Sequence, residues 1–362
     1  MDSVIIVGAG PAGSVCAETL AKKGFQVILI EKEKLPRYKA CGGAIPKEMV
    51  DEFKIPSEII QTKFNSLILH HVAKDIVIER KGEGAVLWRS DLDEYLTQRA
   101  CNYGAQLEEE TSVLGIMKKD DKFKVITNQG EFTSDWLVAA DGVNSTVLRL
   151  SGWKKFSRDE LAITITHEVK LSRNVIEERL GSDKLHIYFG KKNFGTGYGW
   201  LFPKREIVSV GWGCRLTEIR NSSRQFQEFT DLVRDILSNG ELVRKAAHLV
   251  PVSVRQIYKD RIIATGDAAG FVDPLSGKGI IYAAWSGRIA GQVLKKVIDK
   301  NNLEKFNELY EKKLRQAFLT ALIAKREIQP DVYDSDENLL RFMKLWQDHR
   351  STEIALSLWQ NK

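Results

Sequence analysis

The sequence predicts an α/β protein: a parallel, doubly wound sheet, interrupted by an antiparallel sheet and followed by a helical C-terminal segment. Three observations predict it. The chain opens on an apolar strand, a glycine-rich turn, a helix and a second apolar strand, over residues 3–31. Continuous apolar runs closed by Asp-Gly or Gly-Asp recur at 136–142 and 261–267, as expected of strands buried on both faces. From about 160 the pattern changes to alternating strands separated by turn residues, which reads as an antiparallel sheet.

The first element is Val4-Ile5-Ile6-Val7, which runs directly into Gly8-Ala9-Gly10-Pro11-Ala12-Gly13. Gly8 permits a tight turn, Gly10 lets the backbone approach a pyrophosphate, and Gly13 lets helix and strand pack closely. The helix N-terminus presents free N–H groups and a positive dipole end to phosphates. The second strand, Val27-Ile28-Leu29-Ile30, ends on Glu31, eighteen residues after Gly13, whose carboxylate suits a ribose 2′-hydroxyl. Ala12 and Lys32 join the expected dinucleotide-contacting set. Residues 89–108 read as a helix with Leu92, Leu96, Ala100 and Cys101 on one face and Asp91, Asp93 and Glu94 near its start. A strand meander over 111–141 closes in Trp136-Leu137-Val138-Ala139-Ala140-Asp141-Gly142. Strands follow at 161–169, 185–189 and 207–211, a helix at 221–238, a strand at 261–267 and a helix at 279–299. The tail, 303–362, is amphipathic and helical, with Leu339, Leu340, Phe342, Met343 and Trp346 as apolar positions.

The dinucleotide-binding domain is therefore discontinuous, over 1–61, 89–152 and 248–300. The antiparallel domain (62–88 and 153–247) is inserted in it, and 301–362 forms the C-terminal helical segment.

At 362 residues the chain has room for two or three domains, and 43% hydrophobic with 28% charged residues is ordinary for a globular protein. The net charge of +6 fits anionic cofactors or an anionic membrane surface. It is no nucleic-acid signature, because the basic residues form no run with interleaved aromatics. Cys16, Cys41, Cys101 and Cys214 show neither metal-ligand spacing nor a disulfide framework, so a reducing cytosol is expected. No signal peptide is expected before the first strand. No apolar run approaches the ~20 residues of a membrane span, which leaves room for peripheral contact with a membrane surface. The histidines are scattered, with His167 and His186 in strand patterns, and no metal site is expected.

Two further motifs narrow the chemistry. In Asp141-Gly142-Val143-Asn144-Ser145-Thr146-Val147-Leu148-Arg149 a strand ends, Asp-Gly turns, and Asn144 or Ser145 can cap a helix. In Thr265-Gly266-Asp267 a strand again ends on an acid, which can bind a ribityl hydroxyl or a water on a pyrophosphate. Pro274-Leu275-Ser276-Gly277-Lys278-Gly279-Ile280 is then a rigid turn opening a helix, whose N-terminus can stabilise negative charge on a reduced isoalloxazine. Each alone is a structural turn; in this order, after the first motif, they argue for FAD. No second Gly-x-Gly-x-x-Gly follows a strand, so a separate NAD(P)H domain is not expected.

The three motifs together resemble the FAD-dependent oxidoreductase superfamily that includes para-hydroxybenzoate hydroxylase and geranylgeranyl reductase. The resemblance implies a Rossmann-like FAD-binding domain with the antiparallel sheet as substrate domain. It places Arg37 and Arg89 at cofactor-contacting positions. Two stretches are similar to the geranylgeranyl reductase family: Cys41-Gly42-Gly43, which in that family lies near the flavin, and Tyr198-Gly199-Trp200-Leu201-Phe202-Pro203 followed by Gly211-Trp212-Gly213, which in that family lies at the substrate cavity. The implied activity is hydride transfer from reduced flavin to a C=C bond of an isoprenoid, with NAD(P)H or ferredoxin as electron donor.

Tyr198, Trp200 and Phe202 share one face of a strand. That face either lines a long apolar cavity or packs the sheet on a core. Gly197 and Gly199 either permit close backbone approach or kink the sheet. Cys41 either serves as a proton donor, or shapes the cavity, or is a small buried residue without chemistry. Tyr198 is a second candidate donor and water a third. The tail carries no motif of its own, which leaves substrate length open. The alternative reading on the same fold is a flavin monooxygenase hydroxylating an aromatic or other apolar substrate. A tryptophan halogenase is expected to show Trp-x-Trp-x-Ile-Pro, which this chain lacks.

Overall fold

The computed structural model describes residues 2–348, so the expected helix at 349–362 lies outside the described residues. The chain packs as two units. The first comprises residues up to Tyr38, Ser90–Ser157 and Pro251–Ile323; the second comprises Lys39–Arg89, Arg158–Val250 and the chain from Ala324 onward. The 1–61 segment is thus divided after Tyr38, and the last segment begins at Ala324.

The first unit holds a six-stranded sheet of β1 (Ser3–Val7), β2 (Gln26–Ile30), β6 (Gln106–Glu108), β10 (Trp136–Ala139), β16 (Tyr258–Lys259) and β17 (Ile262–Ala264), in the order β16-β17-β10-β1-β2-β6. All pairs are parallel except β16–β17. Its central strands are apolar throughout because both faces are covered: Ile5, Ile6, Leu137, Val138 and Ile263 are fully buried. Helices α1 (Pro11–Ala21) and α9 (Ile280–Asp299) pack so closely that a Cβ on Gly287 would stand 2.0 Å from the Ala12 carbonyl oxygen. The meander β7 (Val113–Lys119), β8 (Lys122–Thr127) and β9 (Gly130–Ser134) forms its own antiparallel sheet and adds Phe123 and Val125 to the core. Helix α3 (Arg89–Asn102) stops short of the expected residue 108, because Gly104 turns the chain into β6. Short helices α4 (Thr146–Leu150) and α8 (Gly266–Ala269) follow β10 and β17. Helix α10 (Phe306–Leu314) buries Phe306, Tyr310 and Leu314, and the Tyr310 hydroxyl donates to the Ala264 carbonyl at 3.0 Å.

The second unit holds an eight-stranded sheet of β3 (Ala44–Pro46), β4 (Ile60–His71), β5 (Ile76–Leu87), β11 (Leu161–Lys170), β12 (Lys184–Phe189), β13 (Gly197–Pro203), β14 (Ile207–Arg215) and β15 (Glu241–Pro251), ordered β15-β11-β14-β13-β12-β4-β5-β3. It is not purely antiparallel. Strands β4 and β12 pair in parallel, since they come from separate segments of the chain. One face carries Leu201, Val208, Val210 and Trp212, packed with helices α5 (Arg173–Leu180), α6 (Lys191–Phe194) and α7 (Ser222–Leu232) through Ile176, Phe194, Phe226 and Phe229. Asn221 caps α7 by accepting the Arg224 N–H, and the helix ends at Leu232 rather than 238, where Asp235, Ser238, Asn239 and Gly240 favour turns. Helix α2 (Lys47–Glu52) follows β3, and α11 (Thr320–Val332) spans the boundary between the units' segments.

Helix α12 (Asp336–Asp348) packs on β4 and β5. Leu339, Phe342, Met343 and Trp346 are buried there. Asp336 accepts the Lys191 N–H at 2.9 Å, the Asp336 carbonyl lies 2.8 Å from His71 Nε2, and Arg80 Nε donates to the Trp346 carbonyl at 2.8 Å. Four of the five apolar positions read from the sequence are thus covered by β4 and β5, and Leu340 is half-buried. Among the described residues no helix is long and apolar enough to cross a membrane.

Two histidines meet on the α5 side of this sheet. His70 Nε2 lies 2.9 Å from His186 Nδ1, and the His70 ring stacks on Tyr188 at 4.2 Å. Burial and the neighbouring His186 push His70 down to about 4. The unfolded chain takes up this proton near 6.5 and the folded protein does not. Stability is therefore expected to be complete above about pH 6.5 and to fall as pH drops towards 4. Thermal melts across this range should show the loss, and His70→Gln should flatten it.

Candidate functional site

In the first unit the three glycine-bearing motifs converge. Strands β17, β10, β1 and β2 are neighbours and parallel, so Gly266, Asp141, Gly8 and Glu31 all lie at their carboxyl ends, where open α/β sheets bind ligands. Gly8 has φ +104°, and a Cβ there would stand 2.4 Å from the Ala140 carbonyl oxygen. A Cβ on Gly13 would stand 1.9 Å from the Gly8 carbonyl oxygen. These positions accept only glycine, and they bring the first motif against the second. A Cβ on Gly266 would lie 2.9 Å from the Ala12 side chain, which joins the third.

Gly10 immediately precedes α1 and Gly279 immediately precedes α9, and neither helix has a side chain capping its first amides. Asp267 Oδ1 lies 3.6 Å from where a Cβ on Gly279 would be. Ile280 is the first residue of α9. The turn before it is built by Asp273, whose carboxylate accepts the Leu275 and Ser276 N–H groups, each at 3.0 Å; Pro274 is buried within it and Gly277 is at its exposed tip. Asp273 and Ser286, whose hydroxyl accepts the Gly266 N–H at 3.0 Å, are structural members of this site that the sequence reading did not single out. An Asp before Pro-x-x-Gly is a legible turn signal, whereas nothing in the sequence marks Ser286.

Several expected cofactor residues are held by the protein itself. Glu31 is buried and accepts the Ala9 N–H at 2.9 Å and the Glu33 N–H at 3.2 Å. Arg37 donates to Glu31 at 3.3 Å and to Asp93 at 2.9 Å, so it neutralises two buried acids. Asp141 accepts from the Ser145 hydroxyl at 2.5 Å and from the Val147 N–H at 3.0 Å, and Ser145 is the residue that caps α4. Burial pushes the Asp141 carboxyl up, against these donors. Gly142 makes the turn between them. Ala12 is buried between helices, Lys32 is exposed, and Arg89 is buried at the start of α3.

The second unit carries the aromatic stripe. Tyr198, Trp200 and Phe202 follow one another along β13 with ring centroids 5.9 and 6.2 Å apart. Gly213, Gly211 and Ser209 stand opposite them on β14, and Thr164, Thr166 and Glu168 stand beyond on β11. Gly211 is a seat: a Cβ there would stand 1.9 Å from two atoms of the Trp200 indole. Gly213 is less crowded: a Cβ there would stand 3.1 Å from the Thr164 methyl group, 3.5 Å from the Ile163 carbonyl oxygen and 3.9 Å from the Trp200 ring. Pro203 does not join the set, because the two-residue period turns it to the opposite face. Gly197 and Gly199 are close-approach positions, to the Gly213 carbonyl oxygen at 1.9 Å and to the Phe229 ring at 2.7 Å.

The Cys41-Gly42-Gly43 loop lies on this stripe. A Cβ on Gly42 would stand 2.6 Å from the Phe202 ring and 3.2 Å from Trp200 Nε1, and one on Gly43 would stand 2.1 Å from the Leu87 carbonyl oxygen. Cys41 is partly exposed, and its sulfur receives the Gly43 N–H at 3.4 Å. Next along the chain is a buried ion pair that the sequence reading missed. Lys204 Nζ lies 3.0 Å from Glu168 Oε2 with both side chains 1% exposed, and 3.5 Å from the centre of the Trp88 ring. Burial pushes the Lys204 ammonium down, against the pull of Glu168. Its place in the step 198, 200, 202, 204 was the available signal. Among the described residues no group of three or more His, Cys, Asp or Glu could hold a metal.

The donor set of the first unit suits a dinucleotide: two helix N-termini with uncapped amides, glycines where any side chain would fill the cradle, and acids at strand ends. The FAD binding domain family matches residues 1–323. The geranylgeranyl diphosphate reductase of Nicotiana tabacum chloroplasts is 33% identical over 336 residues, covering 85% of this chain and 71% of that protein. The digeranylgeranylglycerophospholipid reductase of Methanocaldococcus jannaschii is 31% identical over 354 residues, covering 93% and 89%. A geranylgeranyl bacteriochlorophyll reductase-like structure from Thermoplasma acidophilum superposes with a TM-score of 0.88 at 24% identity, over 99% of this chain and 96% of that one. The flavin-dependent halogenase CmlS shares the fold at a TM-score of 0.70 and 22% identity, over 88% and 62%. The protein is an FAD-dependent oxidoreductase, and its chain belongs to the geranylgeranyl reductase family.

Proposed function

We propose that the protein reduces carbon–carbon double bonds of a geranylgeranyl-type polyprenyl chain. The observation that carries this reading is the Tyr198–Trp200–Phe202 stripe, flattened by Gly211 into a continuous apolar face. Reduced FAD supplies the hydride. The first unit serves as the flavin domain: the amides opening α1 hold the pyrophosphate, Glu31 orients a ribose, Asp267 meets the ribityl or pyrophosphate region, and the α9 N-terminus offsets negative charge on the ring. The second unit serves as the substrate domain, where the stripe holds the prenyl chain by apolar contact. Cys41 gives the proton that completes the reduction, with Tyr198 as the other candidate. Relatives named as reductases of geranylgeranyl compounds support the substrate class. The electron donor is NAD(P)H or ferredoxin, bound transiently, and an apolar substrate draws the protein to a membrane surface.

The test is anaerobic. FAD-loaded protein is reduced with dithionite and mixed with a geranylgeranyl lipid. The flavin is expected to reoxidise, and mass spectrometry to show a product heavier by two hydrogens per reduced bond. A flavin that stays reduced with the lipid but consumes oxygen rapidly and forms a hydroperoxide spectrum would transfer the assignment to a monooxygenase.

A further inference from the structure

The Lys204–Glu168 pair has no role in the site as described above. Lys204 continues the two-residue step of the aromatic stripe, paired with Glu168 at 3.0 Å and lying over Trp88 at 3.5 Å. The other Glu168 oxygen accepts the Ser209 hydroxyl at 3.3 Å. Removing two charges from water is expensive, and apolar residues of equal volume often stabilise such a position as well or better. Stability alone is thus a poor reason for this pair.

Its surroundings suggest another. The Cys41-Gly42-Gly43 loop is wedged between Phe202, two residues before Lys204, and Leu87, the neighbour of the Trp88 ring on which the Lys204 ammonium lies. The Gly43 N–H already points at that sulfur. Trp200 Nε1 is buried, has no hydrogen-bond partner, and sits against the Gly42 backbone. A cation and two N–H donors therefore gather on one three-residue loop whose side-chain heteroatom is a sulfur. Donors and cations beside a sulfur favour its thiolate form.

We propose that Lys204, fixed by Glu168 and Trp88, is a positioning residue that stabilises the Cys41 sulfur as the anion left after the thiol gives up its proton. The inference rests on Cys41 being the proton donor in the reduction proposed above. One alkene carbon receives the hydride carried by reduced FAD. The π-electron pair takes the S–H proton at the other carbon, and the sulfur keeps the S–H bonding pair. The Lys204 ammonium offsets that charge until a solvent proton restores the thiol.

The test reads the thiol directly and needs no substrate. FAD-loaded wild type, K204M and the double variant K204M/E168Q are alkylated with iodoacetamide across pH 6 to 9, and each cysteine is followed by peptide mass spectrometry. Cys16 and Cys214 are pushed up to about 12, mainly by burial, and Cys101 is also raised, so these three serve as internal references followed on their own peptides. The double variant leaves no unpaired buried carboxylate, and its flavin absorbance and melting curve establish that it is folded. Cys41 alkylation near pH 7 is expected to slow about tenfold in both variants, with its pH profile displaced upward. A rate equal to or faster than wild type in K204M/E168Q overturns the proposal, since a purely structural role would loosen the loop and expose the sulfur. Failure of wild type to reoxidise with a geranylgeranyl lipid would count against the substrate class and leave the alkylation result readable.

Discussion

Gly13→Ala is expected to yield a folded protein that purifies without the colour of flavin. The methyl group would have to occupy a point 1.9 Å from the Gly8 carbonyl oxygen, and that atom is backbone, so no rotamer change relieves the clash. The turn between β1 and α1 must open. The amides that begin α1 then lose their common direction, and the pyrophosphate loses its site. The affinity for FAD should fall by at least about a hundredfold, equivalent to roughly 2.7 kcal/mol. Titration of the apoprotein with FAD, read by flavin fluorescence, measures it. Gly24→Asn is the matched control: Gly24 also has a positive φ, but nothing lies within 4 Å of its added Cβ, and Asn tolerates that conformation. The control should keep its colour. A Gly13→Ala protein that binds FAD at wild-type affinity would show that this turn is not the cofactor cradle.

Gly211→Val acts on the other unit and on the other half of the chemistry. The new side chain would coincide with the Trp200 indole, whose atoms stand 1.9 Å from the Cβ position. Overpacking of this kind costs about 1–3 kcal/mol, which the protein should survive. The indole must leave its seat and break the line from Tyr198 to Phe202. FAD content is expected to be unchanged, while anaerobic reoxidation by a geranylgeranyl lipid slows by on the order of a hundredfold, the scale of a misplaced reactant. The paired measurement of flavin content and reoxidation rate separates this outcome from general loss of structure. Unchanged reoxidation would remove the stripe from the substrate site.

The glycine motifs that converge in the first unit were legible in the sequence because their signals are local. Gly13 acts within one turn, against the Gly8 carbonyl oxygen, and a buried parallel strand betrays itself by an unbroken apolar run such as Trp136–Ala139. The period-two step that put Tyr198, Trp200 and Phe202 on one face was equally local. What stayed hidden was set by contacts between distant segments. Glu31, Arg37 and Asp93 read as separate positions until β2 and α3 bring them together. The role of Gly211 depends on a ring that arrives from β13. Lys204 and Glu168 are thirty-six residues apart in sequence and join only because β11 and β13 flank β14. His186 appeared isolated because its partner His70 comes from a strand paired in parallel across the sheet. The ends of α3 and α7 differed from expectation where turn-forming residues cut short an apolar rhythm that continued past them.

The interleaving of the two units has a consequence for how the protein is made. The sheet of the first unit begins with β1, yet β17, the neighbour of β10, lies more than 250 residues downstream. The second unit waits for α12 to cover β4 and β5. Neither body can finish folding until these distant segments have been made. Such long-range closure is slow, and during it unpaired strand edges are exposed to other chains. Expression yield of this protein should therefore depend on temperature and chaperone supply more steeply than its equilibrium stability suggests, and truncation from either end should fail to release an independently folding domain.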